Sequence, residues 1–133
     1  MSRRCSSGVS IHDVVRANIL ALEDSRAEYE AFNVGGDRWV SVRELASMVL
    51  DAAGVDFEPE VPGLFRVGDS RHIVSDVSKL KHLGWQPLVS QTDIVSEYVA
   101  WAAAEPDLRD AFADAKRQMI ATGVLQTRRP EAA

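Results

Sequence analysis

The chain has 133 residues, of which 46% are apolar and 26% charged, and its net charge is −5 at pH 7. These values are typical of one globular domain that is long enough to bury a core. The acidic balance excludes a broad nucleic-acid-binding face, which needs clustered Lys and Arg, but it permits a local anion pocket. No apolar run approaches the roughly 18 residues of a membrane span. We therefore expect no nucleic-acid partner and no membrane segment.

The sequence contains a single cysteine, Cys5. One thiol excludes a disulfide framework or a thiolate zinc cluster within the chain, and this usage is consistent with a reducing compartment. The arginines near the N-terminus, Arg3 and Arg4, are not followed by the apolar stretch of a signal peptide. We therefore expect a cytoplasmic protein.

The first predicted elements are a strand and an amphipathic helix. Residues 9–11 form a short apolar run that predicts a strand leading into the helix. Over residues 13–23, Val15, Ile19 and Leu22 recur at i, i+4 and i+7, which is the spacing of one helix face.

A short buried strand is predicted over residues 31–34, ending in a turn at Gly35-Gly36. The glycine pair follows a predicted strand, but no third glycine comes at the interval of a dinucleotide-binding loop. A turn is therefore the better interpretation than a phosphate cradle.

The helix with the clearest signals begins after Ser41. Glu44 stands three residues later and completes a capping box, and Gly54 suits the residue that follows a helix. The predicted apolar face consists of Leu45, Met48, Val49 and Ala52. Residues 57–61 are then expected to be extended, with Pro59 confining them to an edge or an irregular run.

Further on, residues 72–75 predict a strand, and Asp76 is expected to cap a helix over residues 77–83 that Gly84 ends. Trp85, directly after that glycine, has the character of a hydrophobic plug. Short strands that alternate with helices indicate an α/β or α+β fold in which helix predominates.

Two longer helices complete the prediction, one from about residue 90 to Pro106 and one over residues 108–121. The tail after Gly123 is polar and is expected to fray. The side chains expected to face inward are Ile94, Tyr98 and Trp101 on the first helix and Leu108, Phe112, Ala115 and Met119 on the second.

The strongest candidate for chemistry is an arginine-bracketed turn. Arg66 and Arg71 stand on either side of Gly68 and Asp69. Guanidinium groups offer a planar fork of donors and remain charged, so they suit phosphate oxygens. Asp69 could accept hydrogen bonds from sugar hydroxyls or orient an arginine. The alternative from spacing alone is a hairpin whose charges are solvated.

Other catalytic and binding motifs are absent from the sequence. There is no Gly-x-Gly-x-x-Gly, no Gly-x-x-x-x-Gly-Lys-Ser/Thr loop and no Gly-x-Ser-x-Gly elbow. His12, His72 and His82 have no metal-ligand spacing. Asp13, beside His12, is explained by helix capping or the helix dipole.

Several segments together resemble the NAD-dependent nucleotide-sugar epimerases and dehydratases, which are extended short-chain dehydrogenase/reductases. The resemblance covers about residues 8–103 and is carried by segments 9–18, 32–36, 66–72, 75–79 and 83–87. These segments are similar to the family's Phe-Val-His-Val-Asp-Asp-Val, Tyr-Asn-Val-Gly, Arg-x-Gly-Asp-x-Arg, Asp-x-Ser-Lys and Leu-Gly-Trp-x-Pro motifs. The UDP-glucose 4-epimerase and dTDP-rhamnose 4-epimerase types are the most similar.

The resemblance implies roles for the turn. Arg66 would contact the diphosphate of a UDP- or dTDP-linked sugar, and Asp69 would approach the nucleotide ribose. Arg71 matches a position common in the rhamnose-epimerase-like branch and is included as substrate-binding. A family arginine that also binds phosphate is replaced by Ser6.

The family's catalytic pair and cofactor motif are absent from the sequence. The full enzymes bind NAD through a glycine-rich loop and use a Tyr-x-x-x-Lys pair, whereas Tyr29 and Tyr98 are followed four residues later by Asn33 and Ala102. We therefore expect a C-terminal substrate-binding subdomain with its Rossmann half missing, and no cofactor in this chain alone.

The predicted organisation is a non-matching lead at residues 1–8, the epimerase-like domain at 9–104, an extra helix at 105–122 and a flexible tail at 123–133.

Three functions remain open: a substrate-binding module without catalysis, a subunit that complements a separate Rossmann-type partner, and a non-catalytic interaction domain. Buried strands without their neighbours would expose apolar faces. We therefore expect self-association, a partner or marginal stability.

Overall fold

The computed structural model describes residues 5–6, 8–36, 38–70 and 72–127. Its helices and strands, in chain order, are β1 (Cys5–Ser6), α1 (Ile11–Glu23), β2 (Val40–Ser41), α2 (Val42–Ala53), β3 (Leu64–Arg66), β4 (His72–Ile73), α3 (Ser78–Lys81), α4 (Gln91–Ala104), α5 (Phe112–Ala121) and β5 (Leu125–Thr127). The mixture of helices with a few short strands agrees with the predicted helix-rich fold in its broad form. No helix of the described residues has the length and apolar character needed to cross a membrane.

The strands of the described residues form two small sheets. In one sheet, β1 lies between β2, which is antiparallel to it, and β4, which is parallel. In the other, β3 and β5 are antiparallel, with Arg66 opposite Leu125. The chain on either side of the arginine turn therefore joins different sheets, so the alternative of a local hairpin is wrong. The tail expected to fray includes a strand at Leu125–Thr127.

Two predicted strands are not strands. The Ser10 hydroxyl accepts a hydrogen bond from the His12 amide and caps α1, so helix replaces strand from Ile11 onward. Residues 31–34 have no regular secondary structure. Phe32 and Val34 nevertheless pack against the core, which explains why this short apolar run has the composition of a buried strand.

The core is small and is built around Trp85. Ala17 of α1 and Val77 and Leu80 around α3 form one buried cluster with it. Trp85 is only 3% exposed, which confirms its predicted role as a plug, and its indole nitrogen donates to the Asp13 carbonyl oxygen over 3.1 Å. The indole therefore satisfies its one polar group while it buries its ring.

A buried carboxylate joins α1 to the segment before α4. Asp13 is 1% exposed, and its oxygens accept hydrogen bonds from the Leu88 and Val89 amides at 3.1 Å. Arg16, one turn along α1, donates to the same carboxylate over 2.8 Å and to the Gln86 carbonyl over 3.2 Å. Burial of a charge is tolerated here because the carboxylate is both paired and hydrogen-bonded. Asp13 therefore joins two segments of the chain, whereas the sequence predicted only that it would cap α1 or interact with the helix dipole.

The second predicted helix begins and ends as its capping signals indicate. Ser41 and Glu44 form a reciprocal capping box, and Gly54 follows the helix at a φ of 66°. The predicted apolar face is less buried than expected, since none of the residues of α2 is fully buried.

The later helices differ from prediction in their exposed faces. The last helix begins at Phe112 rather than at residue 108. Tyr98 and Trp101 are in ring contact with a centroid distance of 5.5 Å, yet both are exposed, as is Phe112. Of α4, the buried residues are instead Gln91 and Val95. The helical spacing correctly predicted that these side chains form an apolar stripe, but it did not predict which side of the helix packs against the core.

The glycine pair at residues 35–36 lies where the chain leaves almost no space. A Cβ on Gly36 would lie 1.9 Å from the Gly8 carbonyl oxygen. Gln91 donates to that same oxygen over 2.6 Å. These glycines therefore permit a close backbone approach and do not form a phosphate cradle.

We expect Gly36→Ala to lower the free energy of unfolding by about 3 kcal/mol, because backbone must move to admit the methyl group. Gly54→Ala is the matched control, since nothing lies within 4 Å of its Cβ position and only the left-handed backbone costs about 1 kcal/mol. Urea unfolding at equilibrium measures both values. Equal losses in the two variants would contradict the close approach.

We expect Asp13→Asn to lower the free energy of unfolding by about 3 kcal/mol, because it leaves Arg16 without its partner and turns an amide donor toward backbone donors. Asp51→Asn, at an exposed position of α2, should change it by less than about 0.5 kcal/mol. A loss in Asp13→Asn no larger than in the control would show that the carboxylate is not a structural anchor.

Candidate functional site

The arginine turn begins where β3 ends. Gly68 adopts a φ of 86°, which favours glycine, and the Asp69 amide donates to the Arg66 carbonyl over 3.3 Å. The turn thereby places two of the predicted site residues in contact, and the Arg66 Nε donates to the Asp69 Oδ2 over 3.2 Å. The third, Arg71, lies outside the described residues.

Arg66 and Asp69 line a groove of about 400 Å³. The groove lies between β3, β5 and α5, and its apolar wall consists of Pro62, Leu64, Phe65, Phe112, Met119 and Leu125. Its third charged residue is Lys116, which α5 contributes. The site therefore depends on the C-terminal helix and strand as well as on the predicted turn.

The groove combines two cations with one carboxylate. Arg66 donates to Asp69 through Nε, so this contact does not use the terminal amino groups of the guanidinium. Lys116 is half-buried, with its ammonium 6.0 Å from the centre of the Phe112 ring. A planar donor fork beside an apolar wall can bind an anion that has an apolar or aromatic portion.

Sequence reasoning missed Lys116, although a signal was present. Phe112, Lys116 and Met119 stand at i, i+4 and i+7 and so share a helix face. The lysine was overlooked because the predicted inward face included only apolar side chains. Its proximity to Arg66 also depends on the pairing of β3 with β5, which brings distant segments together.

A second concavity of about 360 Å³ lies beside Trp85 and Pro87. Its one charged lining residue is Lys81. Because it offers one cation and no carboxylate to orient that cation, the chemistry favours the groove at Arg66 as the ligand site.

The lysine of the Asp-x-Ser-Lys segment, Lys79, has a structural role. Lys79 donates to Glu30 over 2.5 Å and to the Ala31 carbonyl over 3.0 Å, and its ammonium lies 4.8 Å from the centre of the Phe32 ring. The hydrogen bond from Lys79 lowers the pKa of Glu30. This lysine therefore anchors residues 30–32.

Comparison with known proteins supports the resemblance. The chain is 34% identical over 103 residues to dTDP-L-rhamnose 4-epimerase of Burkholderia thailandensis, covering 77% of this chain and 28% of that protein. The structure of UDP-glucose 4-epimerase with UDP-glucose from Thermotoga maritima matches with a TM-score of 0.67 and 34% identity, over 77% of this chain and 33% of that one.

A further match is the UDP-glucuronic acid 4-epimerase from Bacillus cereus in complex with UDP-glucuronic acid and NAD. Its TM-score is 0.59 at 25% identity, over 75% of this chain and 33% of that one. No family model matches the chain. The expected similarity to the NAD-dependent epimerase/dehydratase family is confirmed, and the chain spans about a third of the length of these relatives.

The glycine pair at residues 35–36 does not fit the NAD bound by the Bacillus cereus enzyme. A dinucleotide needs a strand, a glycine-rich loop and a helix whose amides hold the pyrophosphate. Gly36, in the glycine pair considered for such a loop, is packed against the Gly8 carbonyl oxygen, so its amide is not open to a pyrophosphate.

Proposed function

We propose that this chain, which matches nucleotide-sugar epimerases over 77% of its length, is the substrate-binding portion of such an enzyme. The groove at Arg66 receives the diphosphate of a UDP- or dTDP-linked sugar. The observation that carries the proposal is the Arg66–Asp69 pair at the edge of an apolar groove.

Each residue of the pair has a distinct task. The terminal amino groups of Arg66 donate to phosphoryl oxygens, and Asp69 holds the guanidinium in the orientation that presents them. The apolar wall formed by Phe65 and Leu125 accommodates the less polar part of the nucleotide.

Chemistry on the sugar is assigned to residues outside this chain. Proton transfer in the family requires a Tyr-x-x-x-Lys pair, and neither Tyr29 nor Tyr98 precedes a lysine at that spacing. This portion would contribute binding and orientation, which lower the barrier by holding the substrate in position for groups supplied elsewhere.

The proposal predicts binding of UDP-glucose or a dTDP-sugar that depends on Arg66. Arg66→Ala should weaken binding about tenfold, because charge-assisted hydrogen bonds are lost at a partly exposed site. Added salt should weaken binding to the unmodified chain. Isothermal titration calorimetry measures both effects.

Arg43→Ala is the matched control for that measurement, since Arg43 is an exposed arginine paired with Glu58 outside the groove. Its affinity should equal that of the unmodified chain. Absence of heat with every nucleotide sugar, or an unchanged affinity in Arg66→Ala, would refute the proposal.

A second candidate function is a non-catalytic interaction domain. The observation in its favour is the face of α1 that carries Ile11, Val15, Ile19 and Leu22, all of which are exposed. Leu22 is 87% exposed, although its helical spacing predicts burial. A contiguous apolar stripe of this kind is typical of a surface that another chain covers.

If a second copy covers this face, sedimentation velocity should show association that increases with concentration. Leu22→Asp should shift the chain toward monomer without loss of fold, because Leu22 contributes little to the core. Val61→Asp, at a position that is 71% exposed and lies between α2 and β3, serves as control. A monomer at all concentrations would exclude the homodimer and leave a separate Rossmann-type partner as the alternative.

A further inference from the structure

We infer that Lys116 is a second cation for the ligand of the Arg66 groove, which therefore takes a nucleoside diphosphate by binding one phosphoryl group on each cation. The inference rests on the proposed function of the groove. Lys116 belongs to α5 and Arg66 to β3, and both line the same volume of about 400 Å³.

The first support is the absence of a counter-ion for Lys116 among the described residues. No carboxylate of those residues lies within ion-pair distance of its ammonium. Its neighbour Arg117 is paired with Asp114, and Lys79 is paired with Glu30. A half-buried lysine that lacks such a partner can pair with an anion that enters the groove.

The second support is the position of Lys116 on the helix. Phe112 and Met119, its neighbours at i−4 and i+3, both line the groove. The Lys116 side chain therefore extends from the same helix face as two groove residues, whereas Arg117 is exposed and does not line the groove.

The third support is the balance of charge in an acidic chain. Asp69 offsets one of the two cations at the groove, so a positive charge remains there although the chain carries −5 overall. A diphosphate presents two adjacent charged groups, and a nucleoside monophosphate presents one. The groove should therefore discriminate between them through Lys116.

The test compares UDP, UMP and uridine as ligands of the full chain by titration calorimetry at low salt. Lys116→Gln should weaken UDP binding about five- to tenfold, UMP binding less, and uridine binding not at all. Lys116→Arg should retain most of the affinity because it keeps the charge. Arg117→Gln, which removes the same charge one residue away, should bind UDP as the unmodified chain does.

The outcomes separate this inference from the proposed function. If UDP binds and Arg66→Ala weakens it but Lys116→Gln does not, the inference is overturned and the proposed function stands. Equal weakening of UDP and uridine in Lys116→Gln would indicate a structural role and also overturn it. If the unmodified chain binds no UDP, the proposed function itself fails. Circular dichroism confirms that each variant is folded.

Discussion

The fold depends on one buried carboxylate. Asp13 fixes the start of α1 against the segment that leads into α4, because its carboxylate accepts hydrogen bonds from the amides of Leu88 and Val89. The backbone carbonyl oxygen of Asp13 accepts a hydrogen bond from the indole nitrogen of Trp85. Asp13 therefore also holds the aromatic ring at the centre of the core. The core cluster contains few buried residues. The hydrogen bonds of Asp13 therefore contribute stabilisation that a larger domain would obtain from buried apolar area.

The segments that resemble the epimerase family are mostly in contact with one another. Asp13 comes from the first and Trp85 from the last. Asn33, from the second, donates to the Asp76 carbonyl over 3.3 Å, and a Cβ on Gly35 would meet Ser75. Much of the sequence similarity therefore reflects structural constraint. Arg66 and Asp69 of the arginine turn are not part of the core cluster, which is why the similarity at these two residues is more informative about ligands.

Prediction from sequence succeeded where local chemistry decides the structure. The capping box at Ser41 and Glu44 and the glycine at Gly54 define α2, because caps and left-handed residues act within one turn. Prediction failed at residues 9–11 because strand composition was given more weight than the Ser10 cap, which starts α1 at Ile11. It also failed where contacts between distant segments decide which face of a helix is buried, since Tyr98 lies on an apolar stripe that faces outward.

The candidate site also combines a part that local sequence predicts with a part that depends on contacts between distant segments. Contact between Arg66 and Asp69 follows from three residues of spacing and a glycine at Gly68, so a local reading could anticipate it. Lys116 reaches the same groove only because β5 pairs with β3, and no pattern in the sequence specifies that pairing.

The exposed apolar face of α1 has an energetic cost. The face that carries Leu22 has the composition of a packed surface but no covering element among the described residues. Burial of such a stripe is favourable by about 25 cal/mol for each Å², so its exposure lowers the stability of the isolated chain. Ligand binding at Arg66 and coverage of α1 would therefore both stabilise the folded state, one through electrostatics and the other through burial.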